Sequence, residues 1–130
     1  MAILHFQIPG QPVSWARVKI ARAGFAYVPP KTRKAKIEMK KAIGKMLPHG
    51  WVPAKGAVRL QLRFYLAKPK TMPKGRTAPI VRPDIDNYIK LVMDALNELV
   101  YSDDSQIVYI EAHKMYSDVP GTEIILEYAE

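Results

Sequence analysis

The fold is decided by residues 84–105, which read DIDNYIKLVMDALNELVYSDDS. Apolar residues recur in this stretch every three or four positions, which predicts an amphipathic helix that buries one face. The predicted core residues of this helix are Ile85, Ile89, Val92, Met93, Leu96 and Leu99. A different face carries Asp86, Lys90 and Asp94, which are spaced four residues apart. The helix therefore has a buried face and a charged face, and acids flank it at both ends.

The remainder of the chain predicts strands and a second helix. Residues 58–66 alternate between apolar and polar side chains, which is typical of a half-buried strand. Shorter apolar runs at 3–8, 25–28, 106–112 and 122–128 predict further strands. Residues 33–47 predict a helix with Thr32 as its N-cap. We expect an α+β fold with a mixed or antiparallel sheet and two main helices.

Charge divides the chain into two parts. Residues 1–80 hold 17 Lys and Arg and a single acid, whereas residues 81–130 hold three Lys and Arg and 11 acids. A strongly basic segment is typical of proteins that bind nucleic acid, although a basic protein with a solvated surface is the plainer alternative. We predict a single domain, 1–130, with a basic DNA-binding half at 1–80 and an acidic catalytic half at 81–130.

Cysteine is absent, which excludes disulfides, thiolate metal ligands and a cysteine nucleophile. The N-terminus lacks the charged region and long apolar run of a signal peptide. No stretch approaches the roughly 20 apolar residues of a membrane span. We therefore expect a cytoplasmic protein that has no membrane partner.

The acids at the two ends of the helix have the composition of a magnesium site. Mg²⁺ prefers carboxylate oxygens together with water and substrate phosphate. Asp84 and Asp86 can point into one pocket if the backbone between them is extended, and either Asp103 or Asp104 can join them. Lys90, one turn beyond Asp86, would stabilise negative charge that develops on a phosphate. This set predicts a metal-dependent phosphodiester nuclease.

Each of these residues also has a purely structural interpretation. Asp84 would be a helix N-cap, and Asp86 would be an acid favoured by the helix dipole. The two adjacent acids would be turn residues, and Lys90 would pair with an acid of its own helix face. We prefer the nuclease interpretation because all of these residues occur around one helix, beside a strongly basic half.

Other metal motifs fit this sequence less well. An EF-hand loop starting at Asp84 would need an oxygen ligand and then a glycine where Tyr88 and Ile89 stand. His5, His49 and His113 are scattered without the spacing of a zinc site.

Two basic segments are candidates for contacts with DNA phosphates. The first lies within residues 10–30, and the second is Lys68–Pro83, which contains four prolines. We interpret the second segment as a mobile basic arm, with a solvated linker as the alternative. The candidate residues are Arg17, Lys19, Arg22, Lys68, Lys70, Lys74, Arg76 and Arg82. Trp15, Phe25 and Tyr27 are candidates for stacking on unpaired bases, but we prefer to place them in the core or a dimer interface.

Three segments resemble the signature of the RusA Holliday-junction resolvases. They are RPDIDNYIK at 82–90, MDALN at 93–97 and DDSQIV at 103–108. The strand containing Lys114 continues the similarity, and the opening PGQPV at 9–13 does so more loosely. The clear resemblance covers about residues 80–128.

This resemblance implies an endonuclease of phage or prophage type that resolves four-way DNA junctions in recombination and repair. The family works as a homodimer with Mg²⁺, or Mn²⁺ as a substitute, and nicks two strands symmetrically. Its catalytic acids match Asp84, Asp86 and Asp104, and its essential lysine matches Lys90. The resemblance thus favours Asp104 over Asp103, a choice that the spacing leaves open.

This chain departs from the family at two positions. Arg82 replaces a usual lysine and Tyr88 replaces a frequent aliphatic residue, but neither is an expected ligand. Tyr88 is expected to affect packing or the dimer contact, and Leu96, Leu99 and Val100 face either the monomer core or a partner subunit. We expect two acidic sites in a basic concave face. The alternatives are a nuclease for flaps or other branched DNA and a non-catalytic junction-binding protein.

Overall fold

The computed structural model describes residues 1–16, 18–72, 74–75 and 77–130. Within these ranges the chain forms six strands, two α-helices and one short 3-10 helix at Asp104–Gln106. The strands are β1 (Ala2–Pro9), β2 (Lys19–Ile20), β3 (Ala26–Tyr27), β4 (Val58–Ala67), β5 (Ile107–Ser117) and β6 (Gly121–Tyr128); the helices are α1 (Pro30–Met46) and α2 (Ile85–Leu96). Neither α-helix of the described chain has the length and apolar character needed to cross a membrane.

The main sheet has four strands in the order β1-β6-β4-β5. Strand β6 is antiparallel to both β1 and β4, whereas β4 and β5 are parallel. Parallel neighbours need a long crossover connection, and α2 lies in the connection between β4 and β5. The mixed sheet with two helices confirms the predicted α+β fold.

The core lies between one face of this sheet and the two helices. The predicted alternation of β4 is confirmed, because Val58, Leu60, Leu62 and Phe64 are fully buried. Ile124 of β6 is buried beside them. Burial of each such side chain contributes about 1.5–3 kcal/mol to stability. Residues of both helices share this core with the sheet, so the packing of the helices on this face stabilises the fold.

Helix α2 is shorter than the apolar repeat suggested, and it buries a wider face. Its buried residues are Tyr88, Leu91, Val92, Ala95 and Leu96. Tyr88 was not among the predicted core residues, yet it stacks on Phe64 with ring centroids 5.2 Å apart. Leu96 and Val100 are fully buried in the core of this chain, and Leu99 packs against it. The alternative in which Leu96 and Val100 face a partner subunit is therefore wrong.

Helix α1 begins before the residue that was expected to cap it. Pro29 occupies the N-cap position and Pro30 the first turn, where a missing N–H costs little. Thr32 is buried within that first turn, and its hydroxyl accepts a hydrogen bond of 3.2 Å from the Ala16 N–H. The predicted cap is wrong because the helix already begins at Pro30, and the Thr32 hydroxyl instead anchors the segment that follows β1.

Candidate active site

Asp84 and Asp86 lie at the N-terminus of α2 with exposed side chains. Asp84 occupies the N-cap position with an extended backbone (φ −70°, ψ 150°), and its side chain makes no capping hydrogen bond. Its backbone carbonyl instead accepts the Asn87 N–H at 3.1 Å. The helix dipole favours negative charge at this end of α2. Asp84 and Asp86 thus occupy the N-cap and first-turn positions that the structural interpretation gave them, but the Asp84 side chain does not cap the helix and both residues are exposed.

Lys114 holds the chain just before these acids. Its Nζ donates hydrogen bonds to the carbonyl oxygens of Val81 (2.8 Å) and Pro83 (3.1 Å). A lysine ammonium has three donors, so it can bridge two carbonyls and still bind a third acceptor. Lys114 is on β5, which follows α2 in the chain, whereas Asp84 precedes that helix. Lys114 therefore fixes the approach of the backbone to α2.

Lys90 lies one turn beyond Asp86, and it contacts an aromatic ring. Its Nζ is 4.6 Å from the centroid of the Trp15 ring, a distance at which the negative face of the ring attracts a cation. The same Nζ is 3.7 Å from Asp94 Oδ2. The backbone N–H of Trp15 donates to the backbone carbonyl of Asn87 at 2.9 Å, and this hydrogen bond holds the segment after β1 against α2.

The pairing of Lys90 with Asp94 was anticipated as a structural alternative to catalysis. About half of the Lys90 side chain is exposed, and exposed ion pairs contribute little to stability. The ammonium therefore remains accessible to a phosphate group.

The adjacent acids Asp103 and Asp104 differ in their contacts. Asp103 caps the 3-10 helix: its carboxylate accepts the Ser105 N–H at 3.0 Å, and its own N–H donates to Gln106 Oε1 at 2.8 Å. The hydrogen bonding of Ser105 to this carboxylate lowers the pKa of Asp103. Asp104 is exposed, and its side chain takes no part in this cap. The geometry thus gives Asp103 a structural role in the cap, whereas the Asp104 side chain is not used there.

Tyr101 lies between α2 and the 3-10 helix, and sequence reasoning did not identify it. It is fully buried, and its hydroxyl donates to the carbonyl of Met93 at 3.0 Å. Burial raises the pKa of Tyr101 strongly, and the negative charges of Asp104, Asp94 and Asp103 raise it further. In the sequence, Tyr101 lies between Asp94 and the adjacent acids Asp103 and Asp104, and this position is the signal that could have identified it.

The exposed carboxylates fit a hard divalent cation by their chemistry. In the part of the chain that the structure describes, no three acidic or histidine side chains converge as a ready metal cage. Mg²⁺ is commonly held by one or two carboxylates, with waters and substrate phosphates completing its ligands. Asp84 and Asp86 supply such a pair on one helix end, and Asp104 supplies a third uncommitted carboxylate.

The family model described as Endodeoxyribonuclease RusA matches residues 9–127. This chain belongs to the RusA family of endodeoxyribonucleases. It is also similar to an uncharacterised protein, YqaN, of Bacillus subtilis (strain 168), with 31% identity over 139 residues that cover 97% of this chain and 96% of that protein. The expected family is confirmed, and the match extends through the basic half, where the resemblance was loose. Membership makes the chain a nuclease hydrolase.

The basic residues expected to contact DNA in this RusA-family chain are exposed wherever they are described. Lys68 pairs with Asp118 at 3.0 Å, and both side chains are solvated. Arg17 and Arg76 lie outside the described residues. The exposed candidates are Lys19, Arg22, Lys68, Lys70, Lys74 and Arg82. Their contact with DNA remains a prediction.

The three aromatic residues near the basic N-terminal segment have different environments. Trp15 is partly buried and packs against the core, as preferred from the sequence. Phe25 and Tyr27 are 58% and 37% exposed, so placing them in the core of the chain was wrong. Exposure leaves DNA and a partner subunit as their possible contacts.

Proposed function

We propose that this protein resolves Holliday junctions by symmetric paired nicks during DNA recombination and repair, using Mg²⁺, with Mn²⁺ as a substitute. The observation that carries the proposal is the N-terminus of α2, where the carboxylates of Asp84 and Asp86 are exposed and the accessible ammonium of Lys90 follows one turn after Asp86. The RusA family acts on branched DNA junctions, and this arrangement has the residue types that phosphodiester hydrolysis requires.

Asp84, Asp86 and Asp104 remain the proposed ligands of the divalent ion, although Asp104 follows the other end of α2 and does not converge with Asp84 and Asp86 within the described chain. When bound, that ion supplies charge neutralisation at the scissile phosphate and a more acidic water. Lys90 binds a non-bridging oxygen or the leaving oxygen and stabilises the negative charge that develops there. Trp15 and Asp94 hold the Lys90 ammonium above α2 before DNA arrives. Lys114 keeps the backbone before Asp84 in place.

The basic half would bring the DNA to these acids. Residues 1–80 act as the DNA-binding half and residues 81–130 as the catalytic half of one domain. Each lysine or arginine that contacts a phosphate releases counterions, so binding weakens steeply as salt increases. The functional unit is a homodimer, because two sites related by a twofold axis suit a junction whose own symmetry is nearly twofold.

Substitution of Asp84 separates an enzyme from a junction-binding protein without turnover. The Asp84→Asn variant should lose metal-dependent nicking of a four-way junction while still binding that junction. Asp118→Asn is a matched control, because Asp118 is also an exposed acid and lies in the turn between β5 and β6, away from α2 in sequence. Tight binding without nicking by the wild type would contradict the proposal, and nicking restricted to flaps would replace it with a flap nuclease.

A further inference from the structure

Strands β2 and β3 form a hairpin within the basic segment 10–30, where the sequence predicted a strand at 25–28. The strands pair antiparallel, and a turn at residues 21–24 joins them. The Gly24 N–H donates to the Ala21 carbonyl at 2.8 Å, and the Ala21 N–H donates to the Phe25 carbonyl at 2.9 Å. Gly24 has φ +88°, a conformation that side chains disfavour. The tip of the hairpin is therefore closed by its own backbone.

The base of this hairpin is fixed beside the candidate active site. Just before it, the Trp15 N–H binds the carbonyl of Asn87 on α2, and the Ala16 N–H binds the hydroxyl of Thr32 on α1. Just after it, the chain enters α1 at Pro30. Asn87 lies between Asp86 and the lysine at position 90 in the first turns of α2. The hairpin thus extends from the place where the N-termini of both helices meet.

The hairpin exposes apolar side chains that the rest of the described chain does not cover. Ile20 is 77% exposed and Phe25 is 58% exposed, with Val18 and Tyr27 also exposed. The rings of Phe25 and Tyr27 are 6.2 Å apart at their centroids and tilted by 56°. Exposed apolar groups gathered on one element typically mark a binding surface.

The charge around the hairpin favours DNA as the partner. Residues 10–37 contain no acid, and Lys19 and Arg22 lie on the hairpin itself. Aromatic side chains among cations bind unpaired bases, because the rings stack on the bases while the cations contact phosphates. A hairpin from a second copy would carry the same cations, so direct pairing of two hairpins is opposed by their charge.

We propose that this hairpin binds the bases at the branch point of a DNA junction, with Phe25 and Tyr27 as the stacking surfaces and Lys19 and Arg22 on adjoining phosphates. The inference rests on the proposed function, since it assigns the recognition of branched DNA to a specific element beside the cleavage site. Bases of continuous duplex are stacked on one another, whereas those at a branch point are exposed to the hairpin. The hairpin therefore selects junctions over duplex.

The test is binding of an immobile four-way junction that carries 2-aminopurine at its branch point, with a duplex of the same sequence as reference. EDTA is present throughout, so cleavage plays no part in the readout. The wild type should change the fluorescence of the junction as the branch-point base moves from its neighbouring bases to the aromatic rings, and should leave the duplex unchanged. Phe25→Ala should abolish this change and reduce the preference for the junction about tenfold, while Phe25→Trp should retain the change and the preference.

Ile20→Ala and Ile3→Ala form a matched pair, because both isoleucines are exposed but Ile3 lies on β1. Only the change at Ile20 should weaken junction binding. Wild-type fluorescence and preference in Phe25→Ala would overturn the proposal. Conversion of a dimer to a monomer by Phe25→Ala would also overturn it, by assigning the hairpin to a contact between copies. A wild type that binds the junction in this way but never nicks it would refute the proposed nuclease and leave the hairpin assignment standing.

Discussion

The ammonium of Lys90 lies 4.6 Å from the centroid of the Trp15 ring. These residues come from different parts of the chain: Lys90 is on α2, and Trp15 is in the segment that follows β1. The bond from the Trp15 N–H to the carbonyl of Asn87 fixes this segment against the helix. The lysine proposed to act on the phosphate is therefore positioned by a residue far away in sequence.

Replacement of Trp15 by leucine should slow cleavage without unfolding the protein. Leucine keeps apolar volume but has no ring face for the cation, and such an interaction contributes about 0.5–1 kcal/mol at an exposed site. We expect kcat for junction nicking to fall about two- to fivefold, with a smaller loss in Trp15→Phe. Single-turnover cleavage measures the effect, and thermal melting monitors folding. If Lys90→Ala abolishes cleavage while Trp15→Leu cleaves like the wild type, the ring does not position the lysine.

The two adjacent acids should respond to substitution in opposite ways. Asp103→Ala removes the cap of the 3-10 helix, so the melting temperature should fall by a few degrees while nicking activity is largely retained. Asp104→Asn keeps the cap, so the melting temperature should hold while nicking is lost. Melting and cleavage measured on both variants test this division. Loss of activity in Asp103→Ala with full activity in Asp104→Asn would reverse the assignment of the ligand.

Removal of the Lys114 ammonium should impair catalysis from a distance. Lys114→Met frees the carbonyls of Val81 and Pro83, and the backbone before Asp84 then has less restraint. Small displacements of catalytic groups are costly, so we expect nicking to slow by about ten- to a hundredfold. Affinity for the junction in EDTA should change little, because this ammonium already binds protein carbonyls. Unchanged cleavage in Lys114→Met would show that the restraint is unnecessary.

Glu123, on the open face of the sheet, should make stability depend on pH. Its carboxylate accepts from the Tyr65 hydroxyl at 2.8 Å and from Arg63 at 3.0 Å, and His5 Nε2 lies 2.8 Å away. The Tyr65 hydrogen bond, followed by those of His5 and Arg63, lowers the pKa of Glu123 below its ordinary value of 4.5. A depressed folded-state pKa contributes stability above pH 4.5, and that stability is lost as pH falls through the folded-state pKa.

Glu123→Gln should therefore lower the melting temperature most at neutral pH and least near pH 3. Tyr65→Phe should reproduce part of the loss, because it removes the first of these hydrogen bonds. Melting curves between pH 3 and pH 7 measure both effects. A deficit in Glu123→Gln that is the same at every pH would show that the charge of the carboxylate is not the cause.

Local patterns predicted the elements well where one periodicity dominated. The alternation of β4 is visible in its sequence because each second residue, such as Leu60 and Leu62, enters the core. Helix α2 was located correctly, but its apolar repeat omitted Tyr88 and Leu91. Tyr88 has a polar hydroxyl, and only its stacking on Phe64 from β4 reveals that it is a core residue.

The contacts that organise the candidate site were harder to predict because they are nonlocal. Thr32 has the residue type of an N-cap, but its hydroxyl binds the Ala16 N–H instead. The spacing of the acids could not separate Asp103 from Asp104, since only the bonded cap shows which carboxylate is already used. The ring of Trp15 reaches Lys90 only through tertiary structure. Residue types therefore indicated the chemistry, and the fold determined which residues are available for it.

The most direct test of the central claim is cleavage of an end-labelled four-way junction by the wild type and by Asp86→Asn, each with Mg²⁺ and with EDTA. Asp86 is exposed in the first turn of α2, so its substitution should leave the fold intact. We predict paired nicks at symmetric positions that appear only with the wild type in Mg²⁺. Equal nicking by Asp86→Asn, or nicking by the wild type in EDTA, would contradict the account.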